Sequence, residues 1–151
     1  AFGGIELPLR GTDTEIFTGL AKRLLVLAGG TSGAVFGTLF NELARAESLA
    51  DGLNAAAELI HELGGAQRGD RTMLDALIPA AEKARELGAK DPDAETLQEL
   101  FDAAHAGALD TEDLAAKKGR ASYLGDRSKG VIDPGALVVS WLFGGEPLSA
   151  R

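Results

Sequence analysis

Apolar residues recur at helical spacing in six separate stretches of this chain, and most of those stretches are bracketed by helix-start and helix-stop chemistry. Thr12-Asp13-Thr14-Glu15 has the pattern of a capping box, and Ile16, Phe17, Leu20, Leu24 and Leu27 follow it up to Gly29-Gly30. A second helix starts at Thr31 or Ser32 and carries Val35, Phe36, Leu39, Phe40 and Leu43 on one face. Ser48 caps a third, with Leu49, Leu53, Ala56, Ala57, Ile60 and Leu63 as its stripe and Gly64-Gly65 at its end. The fourth runs through Met73, Leu74, Leu77, Ile78, Ala81, Ala84 and Leu87 to Gly88. Pro79 lies inside it and predicts a kink near Asp75, where the carbonyl loses its partner. Asp91-Pro92 opens a fifth helix over Leu97, Leu100, Phe101 and Ala104. Its pattern weakens at Gly107-Ala108-Leu109-Asp110 and resumes from Leu114 to Lys118, which gives one long helix open to a break near Gly107, with Lys117 and Lys118 at its negative end. Asp133-Pro134 starts a sixth helix ending at Phe143, and the tail from Gly144 is expected to be loose.

No stretch alternates with a period of two, β-branched residues are sparse, and the connections are short. The expected fold is therefore all-α, a single domain (residues 1–151) of mostly antiparallel neighbours. A length of 151 residues and a hydrophobic share of 45% suffice for one core. The formal net charge of −8 argues against general affinity for nucleic acid, so any anion site needs a local concentration of cations. With no cysteine, disulfides and thiolate metal sites are excluded, and a reducing compartment fits. The longest apolar runs are too short to span a bilayer.

The densest chemistry lies in Gly119-Arg120-Ala121-Ser122-Tyr123-Leu124-Gly125-Asp126-Arg127-Ser128, followed by Asp133-Pro134-Gly135-Ala136. A capped helix start beside Arg120 and Arg127 suits an anion; a well-capped interhelical loop accounts for the same spacing. Gly29-Gly30-Thr31-Ser32-Gly33 offers a ligand close approach to a helix N-terminus, although it lacks the spacing of a Walker loop. Asp70 suits the cap of the fourth helix. Asp91-x-Asp93 and Asp110-x-Glu112-Asp113 are the tight acidic clusters, and both sit where helix starts want carboxylates; no metal ligand is assigned. His61 is a helix-end residue and His105 a surface or satisfied one, neither a catalytic base.

Three ordered stretches then carry a resemblance: residues 29–38, Gly69-Asp70-Arg71-Thr72-Met73-Leu74-Asp75-Ala76-Leu77-Ile78-Pro79, and the segment from Gly119 through Ala136. Together they resemble the nucleotide-binding subunit, or C-terminal domain, of dihydroxyacetone kinases. The resemblance implies an antiparallel helical barrel of eight helices, about six of which are present here. It implies ADP or ATP, with Thr31 and Ser32 at the phosphates, Gly64 and Met73 along the adenine, Arg120 on the nucleotide, and Asp133, Pro134 and Gly135 at its border. Thr31 departs from the small apolar residue expected beside the serine. A methionine against a purine face is physically sensible, because its thioether is polarizable and adapts to flat partners.

The resemblance also implies a magnesium ion held by an aspartate-rich loop, which this sequence lacks; two helices and that loop are expected upstream of Ala1. Their absence would leave apolar surface on the helices starting at Thr14 and Ser32. It further implies a cytoplasmic phosphotransferase that needs a substrate-binding subunit or domain, with the ketose held by a histidine there, and a phosphotransfer donor subunit in some forms. A homodimer is open, and no catalytic residue is assigned. Two other readings stand beside this one: a nucleotide-sensing or scaffolding module of the same fold, and a purely structural bundle.

Overall fold

The computed structural model describes residues 13–23, 26 and 30–144. Six α-helices follow in chain order: α1 (Asp13–Arg23), α2 (Gly30–Arg45), α3 (Leu49–Gly64), α4 (Leu74–Leu87), α5 (Ala94–Asp110) and α6 (Pro134–Trp141). Two 3-10 segments, Thr111–Asp113 and Arg120–Ser128, lie between α5 and α6. No strand occurs among the described residues. Thr12, Leu24, Leu27, Gly29 and residues 145–151 lie outside the described set, as do the side chains of Ile16, Phe17 and Leu20.

Each helix from α1 to α6 packs against the next, and α4 also touches α6. This is the outcome of short connections between amphipathic helices. Leu39, Leu53, Leu74, Leu77, Leu100 and Val139 are fully buried, and Ala56, Ala76, Ala80, Ala84, Ala104, Ala108 and Ala136 fill the spaces between them. Burying one such leucine contributes about 1.5–3 kcal/mol, so the core rests on a few large side chains set among alanines that let helices approach. α2 presents no fully exposed large apolar side chain; Val35, Phe36 and Leu43 are half-buried against the core. The apolar surface expected on it is therefore partly covered within the chain itself.

Several caps follow the sequence pattern. Ser48 is extended (φ −142°, ψ 157°) and accepts from the Asp51 N–H; α3 closes on Gly65 in the left-handed conformation, φ 60°. Gly88, φ 61°, closes α4 in the same way. Asp133 caps α6 with Pro134 at the first helical position.

Other boundaries differ from expectation. α5 is capped by Asp93, whose carboxylate accepts from Thr96 N–H at 2.8 Å, not by Asp91 two residues earlier. Helix α5 runs through Gly107 unbroken and ends at Asp110; Leu114 is extended, so Leu114 to Lys118 do not continue it. Tertiary contact explains Gly107. A Cβ there would collide with the Asp75 carbonyl oxygen, and Pro79 Cγ lies 3.1 Å from its position. Pro79 supplies no N–H for that carbonyl, and the backbone of α5 closes over it. The glycine that weakens the helical pattern is thus the contact point between α4 and α5.

Candidate functional site

Helices that alternate in direction bring the N-terminus of α2, the C-terminus of α3 and the N-termini of α4 and α6 to one end of the fold. A cavity of about 870 Å³ opens there. Gly30, Thr31, Ser32, Val35 and Phe36 of α2 line it, with Gly64 at the end of α3, the turn before α4, the Lys118–Ala121 segment and the Asp133–Gly135 start of α6. Thr31, Ser32, Gly64, Met73, Arg120, Asp133, Pro134 and Gly135 therefore all meet in one space, although up to a hundred residues separate them. A second cavity, about 460 Å³, lies at the opposite end between Leu39, Leu43, Leu53, Leu97 and Phe143. Its lining is apolar apart from a few rim groups, and it holds none of those residues.

Local chemistry shapes each wall. Gly30 stands at φ 56° at the entry to α2, and Thr31 and Ser32 are exposed at that first turn. Both residues line the cavity, and the first N–H groups of this 16-residue helix, which have no intrahelical partner, lie at the same end. A Cβ on Gly64 would meet nothing within 4 Å, so the α3 end leaves open space there. Gly135 packs on Met73: an added Cβ would lie 3.4 Å from Met73 Cβ and 3.2 Å from Asp133 Oδ2. Met73 is 5% exposed, so it serves the core and the cavity wall at once.

The turn before α4 is not capped by Asp70, as the sequence suggested. Asp70 accepts from Gln67 N–H at 3.1 Å and lies 3.8 Å from Lys117 Nζ. The work falls to Asp75, 5% exposed, whose two oxygens accept from Gly69 N–H at 2.6 Å and Thr72 N–H at 2.9 Å. Thr72 Oγ1 accepts from Leu74 N–H at 3.2 Å. Thr72-x-x-Asp75 is a capping-box spacing, so the signal was present in the chain.

Three loops are then tied to each other. Lys117 N–H donates to Asp70 O at 3.2 Å, which pins the segment after α5 to the turn before α4. Thr111, fully buried, donates to Ala108 O and accepts from Asp133 N–H at 2.8 Å. Gly130 N–H donates to Glu112 O at 2.7 Å. Ser128, also buried, accepts from Ala116 N–H at 2.8 Å and donates to Gly125 O at 2.6 Å. Arg71 Nη2 donates to Val131 O at 2.6 Å.

Electrostatics at the site is mixed in sign. Arg71, Lys118 and Arg120 line the cavity together with one carboxylate, Asp133. Burial pushes the Asp133 carboxyl above the usual carboxylate range and Asp75 adds to this, while the Ala136 N–H bond and the Arg71 charge act the other way. Arg127 does not line the cavity and is exposed, so the pairing of Arg120 with Arg127 gives way to Arg120 with Arg71 and Lys118. Lys117 and Lys118, expected at a helix end, lie in the loop after α5. His61 accords with its helix-end assignment, its Nδ1 donating to Ala66 O at 2.7 Å. His105 stacks on Phe101 at 5.1 Å with its Nδ1 buried and unpartnered among the described residues. The residue is half-buried, so it lies partly at the surface with one ring nitrogen unpartnered among the described residues. Among the described residues no group of three or more His, Asp or Glu could hold a metal ion.

The family model of the DAK2 domain matches residues 9–145. The chain is 37% identical over 141 residues to the ADP-binding subunit DhaL of PEP-dependent dihydroxyacetone kinase 2 from Listeria innocua, covering 85% of this chain and 64% of that one. It is 38% identical over 127 residues to the L-erythrulose 1-kinase of Mycolicibacterium smegmatis, covering 76% of this chain and 22% of that one. The crystal structure of the dihydroxyacetone kinase of C. freundii in its native form superposes with a TM-score of 0.63 at 32% identity, over 87% of this chain and 23% of that one. The chain thus spans less than two thirds of the length of these relatives.

Proposed function

The chain belongs to the DAK2 domain family, and from that membership we propose that it is the nucleotide-binding component of a dihydroxyacetone-type kinase, holding ADP or ATP for phosphoryl transfer to a small ketose. The observation that carries the proposal is the meeting of Thr31, Ser32, Gly64, Met73, Arg120 and the Asp133–Gly135 turn around one cavity. Its volume of about 870 Å³ lies within the range of roughly 300–1,000 Å³ common to small-molecule sites.

In this reading the first turn of α2 receives the phosphates through the Thr31 and Ser32 hydroxyls and the N–H groups of that turn. Arg120 and Lys118 supply the charge that an acidic chain must concentrate locally. Met73 and Gly64 lie along the base, where the absent side chain of Gly64 admits a flat ring. Phosphoryl transfer depends chiefly on such positioning and charge stabilisation. Magnesium, when bound, would supply charge neutralisation at the phosphates; the described residues offer no carboxylate cluster to hold it, so none of them is assigned to the ion. The ketose and the histidine that holds it belong to a substrate-binding partner, and a phosphotransfer donor is the second partner of this reading. The same reading places the protein in the cytoplasm; separately, no helix among the described residues is long and apolar enough to cross a membrane.

The test has two arms. ADP or ATP with magnesium should raise the melting temperature of the protein, and mixing with a dihydroxyacetone kinase substrate-binding subunit should yield dihydroxyacetone phosphate. Nucleotide binding without turnover in any partner mixture returns the protein to a sensing module. Absence of both leaves a structural bundle.

A further inference from the structure

Arg71 belongs to the Gly69–Pro79 stretch that carries the resemblance, yet the sequence assigned it no role. Among the described residues it is the non-glycine residue with a left-handed backbone, φ 60°. An arginine has a Cβ that opposes this conformation, whereas glycine or asparagine adopts it with less strain. The side chain is 5% exposed, so a full positive charge is withdrawn from water. Only part of its donor set is used: Nη2 donates to Val131 O at 2.6 Å, while Nε is buried with no partner among the described residues. Backbone strain and an unpaired buried donor meet in one residue that also lines the cavity. A residue kept for stability alone has no reason to carry both costs.

Geometry shows what the two costs are spent on. The turn holding Arg71 forms one wall of the cavity, with Thr72 and Met73; the Asp133–Gly135 start of α6 forms the facing wall. These walls are sixty residues apart, and the Arg71–Val131 bond crosses between them. The guanidinium also attracts the Asp133 carboxylate, the group that caps α6. Asp75, which braces the same turn through Gly69 and Thr72, acts on the half-buried Asp133 with like charge, and the Arg71 charge opposes that repulsion.

We infer that Arg71 is a positioning residue of the nucleotide site: its guanidinium holds the Val131–Gly135 wall against the Gly69–Met73 turn, and the left-handed backbone aims it there. The inference rests on the nucleotide-binding reading and deepens it. Arg71 acts on nucleotide affinity through the spacing of the walls, without contact to the phosphates.

Three forms of the protein test it: unaltered, Arg71→Asn and Arg71→Lys, each titrated with ADP in the presence of magnesium chloride and melted in its absence. Asparagine keeps the left-handed turn and removes the cation. Lysine keeps a cation able to reach one carbonyl. Arg71→Asn should weaken ADP by about tenfold or more at a temperature where it is fully folded, and Arg71→Lys should recover most of that loss. A role in stability alone would lower the melting temperature and leave the affinity of the folded protein unchanged. ADP affinity in folded Arg71→Asn within about threefold of the unaltered protein overturns the inference. If neither variant folds, Arg71 is a stability residue and the inference is equally overturned; if only lysine folds, affinity within about threefold supports it and a larger loss overturns it. Failure of the unaltered protein to bind ADP is a different result, since it removes the nucleotide reading itself.

Discussion

Asp133 carries two demands that oppose each other. As the cap of α6 it accepts from Ala136 N–H at 2.9 Å, which favours the carboxylate, while burial favours the neutral acid and dominates. Its folded-state pKa is raised, so the folded protein binds more protons than the unfolded chain above the ordinary aspartate value of about 3.9. Stability from this group therefore falls as pH rises through that window and is constant above the folded pKa. Asparagine caps as well as aspartate and carries no charge. Asp133→Asn should flatten this part of the urea-unfolding profile above about pH 4 and leave the protein at pH 7 as stable or up to about 1 kcal/mol more stable. A clear loss at pH 7 would mean that the attraction to Arg71 outweighs burial. Arg120 is exposed at the cavity rim and is expected to matter to the ligand and not to the fold. Arg120→Ala should weaken ADP by a charged hydrogen bond, about 1.5–3 kcal/mol, with stability changed by no more than about 0.5 kcal/mol. Unchanged affinity would return this arginine to the loop it sits in.

At the scale of the elements, Gly107 sets intrinsic preference against packing. Alanine in place of a mid-helix glycine should stabilise α5 by up to about 1 kcal/mol if α5 stood alone. In the fold a Cβ would run into the Asp75 carbonyl, so Gly107→Ala should instead destabilise by about 1–3 kcal/mol in chemical denaturation, as overpacking does. A gain in stability would show that α4 and α5 can separate at no cost. The start of α5 makes a smaller comparison. Asp93 accepts from Thr96 N–H while Asp91 caps nothing, so Asp93→Ala should lower the melting temperature more than Asp91→Ala does. The sequence favoured Asp91 because proline follows it; the backbone turns into the helix two residues later, and only the position of the first N–H groups decides which carboxylate is used.

Five chain segments end together around the cavity proposed to take the nucleotide, and a ligand there should hold those segments in register. ADP at about a hundred times its dissociation constant should add roughly 2.7 kcal/mol, which for a chain of this size is a rise of about 5–10 °C in melting temperature. No shift with either ADP or ATP would argue against the site. How much of this was legible depends on the range of the forces involved. The helices and most of their caps were readable because periodicity and capping act within a turn or two: Ser48, Gly65, Gly88 and Asp133-Pro134 all stand where the chain announces them. The motifs named Thr31, Ser32, Gly64, Met73, Arg120 and the Asp133 turn as residues to watch, but their meeting in one cavity depends on helices that alternate in direction. The segment from Leu114 to Lys118 looked helical by period; it became a loop because its backbone and side chains bind the turn at Asp70 and the buried Ser128. Arg71, Thr111 and Lys118 were passed over for the same reason, since the partners of the first two lie 60 and 22 residues away in sequence, and Lys118 reaches the site only through the loop. Sequence by itself determined where each helix can begin and which faces must be buried, because those depend on neighbours along the chain. Tertiary structure alone decided that Gly107 is a contact and that Arg71 joins two walls, because each depends on a group brought close only by packing.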